Sequence, residues 1–269
     1  SSDLPITSLE ELGIAMRDMA VRSVRKALTF GAVACIATGA FAQQFVTDGL
    51  VTMYTLDAAH VDGDVVTDII SGNDGKIMGG GPAFVAGAIN ECGEFDASGG
   101  YIEIPNLGDW TSVTLECWAM QHAFAGIQGI VSTWAWVAGK VHFKFQDNQI
   151  QVDKNGGSKI VMSGPEENVW YHIVYTSDEA SGELKLYVDG EFIAEGAGGA
   201  NPENMQERRI GSEHDGRFLD GKVDEVRIYD RVLTEDEIVQ NFEVDANQLS
   251  VDPTGKTAMT WGRLKNLAR

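Results

Sequence analysis

The residues in this chain best suited to chemistry are a carboxylate in an apolar strand, a glycine-rich acidic loop and a pair of tryptophans. Residues 221–231 read GKVDEVRIYDR. Alternate side chains of a strand share a face, so this spacing places Asp224 with Val226 and Ile228. A carboxylate on such a face is costly unless it is paired, hydrogen-bonded or bound to a metal. Residues 68–75, DIISGNDG, form a second candidate. Glycines let the backbone curl inward, so Asp68, Asn73 and nearby carbonyls can converge as the oxygen ligands that Ca2+ takes. The segment lacks the D-x-D-x-D-G pattern with a Glu at position twelve, which excludes an EF-hand. Trp134 and Trp136 lie two apart and share a face if their run is a strand. Flat rings of this kind stack on sugar faces, and Trp110, in the loop after Asn106, is a third. Packing in the core competes with that reading, and is the expectation for Trp118 and Trp170.

The frame for these side chains reads as β almost throughout. Between residues 49 and 230, short runs rich in Val, Ile, Tyr and Trp are broken by Gly, Asn and Asp. They fall at 50–56, 101–104, 112–119, 127–134, 141–145, 149–152, 170–177, 183–188 and 192–195. Asp189-Gly190 separates two of them, as suits a type I′ turn, which needs positive φ at both central residues. Residues 147–148 and 155–157 are further turn candidates. Several runs, VTLECWAM among them, carry large apolar residues on both parities, which fits strands packed on both faces. The prediction is an all-β fold: a two-sheet antiparallel β-sandwich of jelly-roll type with one short C-terminal helix. Thr234 and Glu237 have the spacing of a capping box, and Ile238 opens the helix's apolar stripe.

The ends differ from this body. Arg22, Arg25 and Lys26 precede an apolar run over 27–36, and Ala40-Phe41-Ala42 supplies a small-residue cleavage site. Residues 21–42 are therefore expected to be a secretory signal peptide cut after Ala42, with no membrane insertion afterwards and residues 1–20 as an upstream extension. Cys35 stands in a poor lipoprotein context, because Ala32 occupies the place of a Leu. The sandwich is expected over 43–245. A basic tail over 246–269 sets Asp252 against Lys256, Arg263, Lys265 and Arg269. The chain holds 20 Lys and Arg against 40 Asp and Glu, a net charge of −20. Charges balance within residues 1–42, so the acid excess belongs to the body. Such a surface disfavours nucleic acid and anionic membrane and suits cations and neutral ligands. An exported chain permits a disulfide between Cys92 and Cys117, while core positions as small apolar residues stay equally open.

Several motifs then recur in one order. Residues 68–75 follow D-x-x-x-G-N-x-G, and Gly80-Gly81-Pro82 with Gly87 follows G-G-P-x-x-x-x-G. Glu94-Phe95-Asp96 with YIEI at 101–104 is similar to F-D-G-x-x-D-Y-V-E-I, and VTLECW at 113–118 to F-T-I-E-x-W. Trp170-Tyr171-His172, LYVDG at 186–190 and the closing strand at 221–231 complete the set. Together they resemble the laminin-G-like, concanavalin A-like jelly-roll domains of secreted proteins, over roughly residues 50–242. One departure is Gly99-Gly100, where the family has an acidic pair before the tyrosine. The resemblance implies that Asp224 meets the 68–75 loop from across the sandwich. It would then join Asp68 and Asn73 around a structural Ca2+. Capping of loop amides or pairing with a buried arginine remain alternatives for Asp224.

Catalysis finds less support. Retaining glycosidases need two carboxylates about 5 Å apart, and a large class of concanavalin-like hydrolases sets them on one strand as E-x-D-x-x-E. Glu94-Phe95-Asp96 begins that pattern, but Ser98-Gly99-Gly100 follow and the next acid is Glu103. His60, His122, His142, His172 and His214 are scattered, and His172 is expected to be packed. The expectation is a secreted, non-catalytic recognition module with a structural calcium and a glycan or glycosylated surface as ligand, contacted by Trp134, Trp136 and Trp110. An adhesive domain that binds a cell-surface or extracellular protein is the alternative. A hydrolase or lyase would need paired acids on a concave face, among Glu103, Glu116 and Asp147.

Overall fold

The structure is a computed structural model and describes residues 44–247 except 215. The signal-like segment, Cys35 and the tail beyond 247 lie outside the described residues. In chain order the main strands are β1 (Leu50–Tyr54), β2 (Gly75–Met78), β3 (Ala83–Ala86), β4 (Glu91–Asp96), β5 (Tyr101–Glu103) and β6 (Ser112–Gln121). They continue with β7 (Ile127–Gly129), β8 (Val131–Thr133), β9 (Val141–Gln146), β10 (Gln149–Lys154), β11 (Lys159–Ser163) and β12 (Tyr171–Asp178). The last are β13 (Glu183–Val188), β14 (Glu191–Ala197), β15 (Arg208–Ile210) and β16 (Asp220–Tyr229), before helix α1 (Glu235–Ala246).

The back sheet runs β14-β13-β12-β6-β16-β4-β3, with β1 also paired to β16. Two smaller sheets make the front layer: β7-β9-β10-β11, and β8-β15-β5-β2 extended by the short strands Val65–Val66 and Val61–Asp62. The Ile130 N–H donates to Phe143 O (2.9 Å), which joins the two front sheets side by side. The predicted sandwich and its C-terminal helix are therefore present. The run expected at 127–134 is two strands, one in each front sheet. Turn chemistry fixes the hairpins as expected. Asp189 and Gly190 have φ of 53° and 78°, and Asp147 and Asn148 have 54° and 56°.

Strand alternation builds the core between the layers. Val141, Phe143 and Phe145 of β9 point inward with Ile150 and Val152 of β10. They meet Val113, Leu115, Cys117 and Ala119 of β6 and Ile173 and Tyr175 of β12. One arginine sits among them. Arg208 is fully buried, pairs with Glu203, and donates to Val131 O (3.4 Å) and Val141 O (3.3 Å). Those carbonyls belong to β8 and β9, so a single guanidinium spans the seam between the front sheets. The Tyr175 hydroxyl donates to the same Glu203 (2.6 Å), which ties the seam to the back sheet.

The far side of the back sheet is covered by α1. The helix starts at the predicted capping box, with the Glu237 N–H donating to Thr234 Oγ1 and the Thr234 N–H to Glu237 Oε2. It is held by a buried ionic network. Arg227 donates to Glu116 (3.0 Å), Glu225 (2.7 Å) and both Asp245 oxygens (2.8 and 2.9 Å), and Asn241 donates to Glu116. Burial works against the Glu116 charge, but His172, Arg227 and Asn241 outweigh it and hold the carboxyl down at about 2.

Two expectations are corrected here. Asp224 does not share a face with Val226 and Ile228, because a bulge at Glu225 (φ 51°) shifts the register between Asp224 and Arg227. Asp224 thus lies on the helix side of the sheet, opposite Trp118 in register, while Val226 and Ile228 point into the core. Cys92 and Cys117 are both free and buried. Cys117 belongs to the inter-sheet core and Cys92 to the cluster behind the sheet with Trp118 and Phe242, so the two thiols face opposite sides and cannot bridge.

Arg208 generates a stability prediction. Arg208→Met leaves the Glu203 carboxylate buried without its cation and lowers the unfolding free energy by about 3–5 kcal/mol. Adding Glu203→Gln to that variant recovers a large part of the loss in urea titrations. Strictly additive losses would contradict a coupled pair.

Candidate functional site

The outer face of the front layer gathers aromatic rings and cations. Its members come from the parity opposite the core. His142 and Lys144 alternate with Val141, Phe143 and Phe145, and Arg209 follows the inward Arg208. Trp134 and Trp136 lie past the end of β8 in the connection to β9, so no strand places them on one face. The connection itself carries both over the front. Its base is pinned by Gly139, whose φ of 85° favours glycine and whose added Cβ would stand 2.4 Å from Pro202 O. Lys140 locks the exit by donating to Gln206 O and pairing with Glu207 (3.3 Å).

Two stacks result. The Trp134 ring lies 4.1 Å from the Arg209 guanidinium and 5.3 Å from the His214 ring, nearly parallel to it at 9°. Arg209 is also 4.4 Å from the Tyr101 ring, so two aromatic rings flank it. The Trp136 ring stacks on His142 at 3.7 Å, with Lys144 Nζ at 5.2 Å and Arg217 at 5.7 Å. It remains 46% exposed, which leaves a ring face for a partner.

A buried acid holds the floor. Glu213 accepts from Arg217 (2.7 Å) and lies 3.3 Å from His142 Nδ1 and 3.8 Å from Lys144 Nζ. Burial opposes its charge, yet His142, Lys144 and Arg217 hold the carboxyl below its ordinary 4.5. Burial also pushes His142 and Lys144 down, with Glu213 opposing in each case. Glu213 Oε2, Arg209 Nε and Ser132 Oγ are buried without a hydrogen-bond partner. Such a face can stack a sugar ring and meet polar or charged substituents at its edge.

The other expected site residues fall elsewhere. Trp110 packs against the main core, with its indole N–H donating to Leu107 O (2.8 Å). Asp68 accepts from the N–H groups of Met53, Ile70, Ser71 and Asn73 and from the Ser71 hydroxyl. Burial opposes its charge, and these donors outweigh it and hold the carboxyl low. The Asn73 amide donates to Ser71 Oγ (2.7 Å). Asp224 accepts instead from the Ile89 N–H (2.9 Å), and its Oδ1 has no partner. Burial first, then Glu225 and Asp57, pushes its carboxyl well above the ordinary value. The hydrogen bonds of Asp68 and Asp224 thus go to different loops. Among the described residues no three His, Cys, Asp or Glu side chains form a group able to hold a metal ion.

The acids named for hydrolysis do not converge. Glu116 lies in the network beneath the helix, Asp147 in a hairpin turn, and Glu103 on β5 is exposed. A separate groove of about 640 Å3 is lined by Glu94, Asp96, Asp220 and His122. There His122 pairs with Asp220 (3.1 Å) and Glu94 (3.6 Å), and Lys222 with Glu94 (3.5 Å). Sequence reasoning missed Tyr101, Arg209, Glu213, Arg217 and the placement of His142 and His214. Parity within the VHFKF strand could have found His142, but nothing local marks Glu213.

Comparison with known proteins supports the architecture. The family model Laminin_G_3, described as Concanavalin A-like lectin/glucanases superfamily, matches residues 96–239. No curated protein matches the chain. Among solved structures, Trypanosoma rangeli sialidase in complex with a difluoro-KDN compound is similar at a TM-score of 0.62 and 16% identity. That match covers 88% of this chain and 40% of the sialidase, so the chain spans well under half of that enzyme's length. Domain 4 of AbnA, a GH43 extracellular arabinanase from Geobacillus stearothermophilus, in complex with arabinotriose, matches at a TM-score of 0.56 and 16% identity over 71% of this chain and 97% of that one. The ligand binding domain of Botulinum neurotoxin serotype D, in complex with N-acetylneuraminic acid, matches at 0.56 and 13% identity, over 73% and 51%. At these identities the likeness is one of fold.

The depressed Glu213 carboxyl predicts a pH effect. Its stabilisation is complete above the unfolded value of 4.5 and is lost as pH falls below it, because the unfolded chain then binds more protons. Glu213→Gln is expected to show a flatter fall of unfolding free energy between pH 4.5 and 3 than the parent. Parallel curves would place the titration elsewhere.

Proposed function

The chain belongs to the Concanavalin A-like lectin/glucanases superfamily, and from that premise we propose that it is an exported, non-catalytic module that binds carbohydrate on its front face. The observation that carries this reading is the exposed Trp136 ring, backed by His142 and flanked by Lys144 and Arg217. A ring held from behind loses little freedom when a sugar stacks on its open face, so more of the stacking energy appears as affinity. Glu103, Glu116 and Asp147 do not gather at this face, and its buried acid, Glu213, is tied to His142, Lys144 and Arg217. His142 lies under Trp136 and beside Glu213, which suits support of the ring better than proton transfer to a substrate. Sugar-bound neighbours of the same fold support a glycan as the class of ligand. The basic and apolar run ahead of Ala42 supports export.

We extend the proposal to a structural cation, held by Asp224. That carboxylate fits: it is buried, has an orphan oxygen, and has Asp57 near enough to raise its proton affinity. Asp68 fits less well, since four donors of its own loop and the Met53 N–H of β1 already engage it. A bound Ca2+ would supply charge compensation that lets Asp224 ionise.

Two outcomes test these statements. Trp136→Ala is expected to weaken binding to the best hit of a glycan array by about tenfold or more, a loss of about 1.4 kcal/mol. Its unfolding midpoint should stay within about 4 °C of the parent. Retained affinity would remove the ring from the site. Separately, Ca2+ is expected to raise the midpoint of the parent over EDTA and to leave Asp224→Asn unmoved, whereas Asp68→Asn is destabilised with or without the ion. A parent indifferent to Ca2+ would refute the cation.

A further inference from the structure

We infer that the front face selects sugars that carry a carboxylate, with Arg209 as the anchor. This rests on the carbohydrate-binding reading and narrows its ligand class. The decisive feature is a cation that has no acidic partner among the described residues. Among the described residues the Arg209 side chain makes no hydrogen bond and no ion pair within 4.0 Å, and the groups against its guanidinium are the Trp134 and Tyr101 rings. Glu103 stands opposite it in register but does not approach to pairing distance.

Every other arginine in the described part has an acid. Arg208 pairs with Glu203, Arg217 with Glu213, Arg227 with Glu116, Glu225 and Asp245, and Arg231 with Asp48 and Glu237. Acids outnumber bases 40 to 20 in the sequence, so a lone unpaired guanidinium is not a shortage of partners. Its two aromatic neighbours hold the guanidinium, and with Nε buried the recognition element is the edge formed by its two Nη groups. That edge is a planar fork of donors, and it matches a carboxylate bidentately. Arg217 and Lys144, at 5.7 and 5.2 Å from Trp136, add positive potential where a stacked ring would sit. A neutral sugar would stack equally well but would leave the fork desolvated and unmatched.

Uronic and sialic acids share this chemistry, and paired probes separate them. Titration calorimetry of the full chain would compare trigalacturonate with its methyl ester, and 3′-sialyllactose with lactose. At least one acid is expected to bind about tenfold or more tightly than its neutral twin, as a charge-assisted bidentate contact would give. Arg209→Gln should abolish that preference, and Arg209→Lys should retain only part of it, since an ammonium lacks the fork. Should Arg209→Gln fail to fold, Arg209→Lys and Arg217→Gln carry the comparison. Acid and ester binding alike, or a preference that survives at Arg209→Gln, overturns the inference. Neutral binding that depends on Trp136 then leaves the carbohydrate reading standing. No binding to any of the four probes, nor to any glycan on an array, overturns both.

Discussion

The front layer depends on Arg208. Its guanidinium is buried between the two sheets of that layer and bonds to a carbonyl from each, Val131 O and Val141 O, while Glu203 and Tyr175 tie it to the back sheet. A charge so placed is strongly held by geometry, because any slip of β8 against β9 strands a buried donor. Alternation then does the rest. With Arg208 inward, Arg209 must point outward, opposite Ser132 in register and against Trp134. One buried ion pair thereby sets the position of the half-buried Arg209 and of the ring that flanks it.

The back of the sandwich solves a similar problem with different parts. Arg227 binds Glu116, Glu225 and Asp245, which fastens α1 to the sheet, and the bulge at Glu225 is what presents these groups together. The two faces differ in what they leave open. Behind the sheet the helix covers the charges, and the buried atoms left without a hydrogen-bond partner there include Asp224 Oδ1, Arg227 Nε and both His172 nitrogens. In front Trp136 is stacked on His142 yet 46% exposed, and among the described residues the Arg209 side chain has two rings and no acid beside it. The net charge of −20 strengthens that contrast, since an anion repelled by the chain as a whole would meet local positive potential at such a patch.

Most of the fold was legible in the sequence because its signals are local. Period-two runs gave strands, Asp189-Gly190 gave a hairpin, and Thr234 with Glu237 gave the helix start. The front-face tryptophans were found for a partly mistaken reason, since a pinned loop and not a strand brings them together. Asp224 was misplaced because one residue of bulge reverses parity, and parity counting has no means to detect it. Arg209, Glu213 and Arg217 were missed because their roles come from pairings remote in sequence. Arg209 is informative only once the other described arginines are seen to be paired.

On the proposed reading ligand engages the front face through Trp134 and Trp136, and the indole N–H signals of the six tryptophans, followed by NMR as a bound glycan is titrated in, report that engagement. The account predicts that the Trp134 and Trp136 signals move in step with occupancy, while the buried Trp118 and Trp170 and the core-packed Trp110 stay fixed. Saturable binding that leaves both front-face signals unmoved would contradict it.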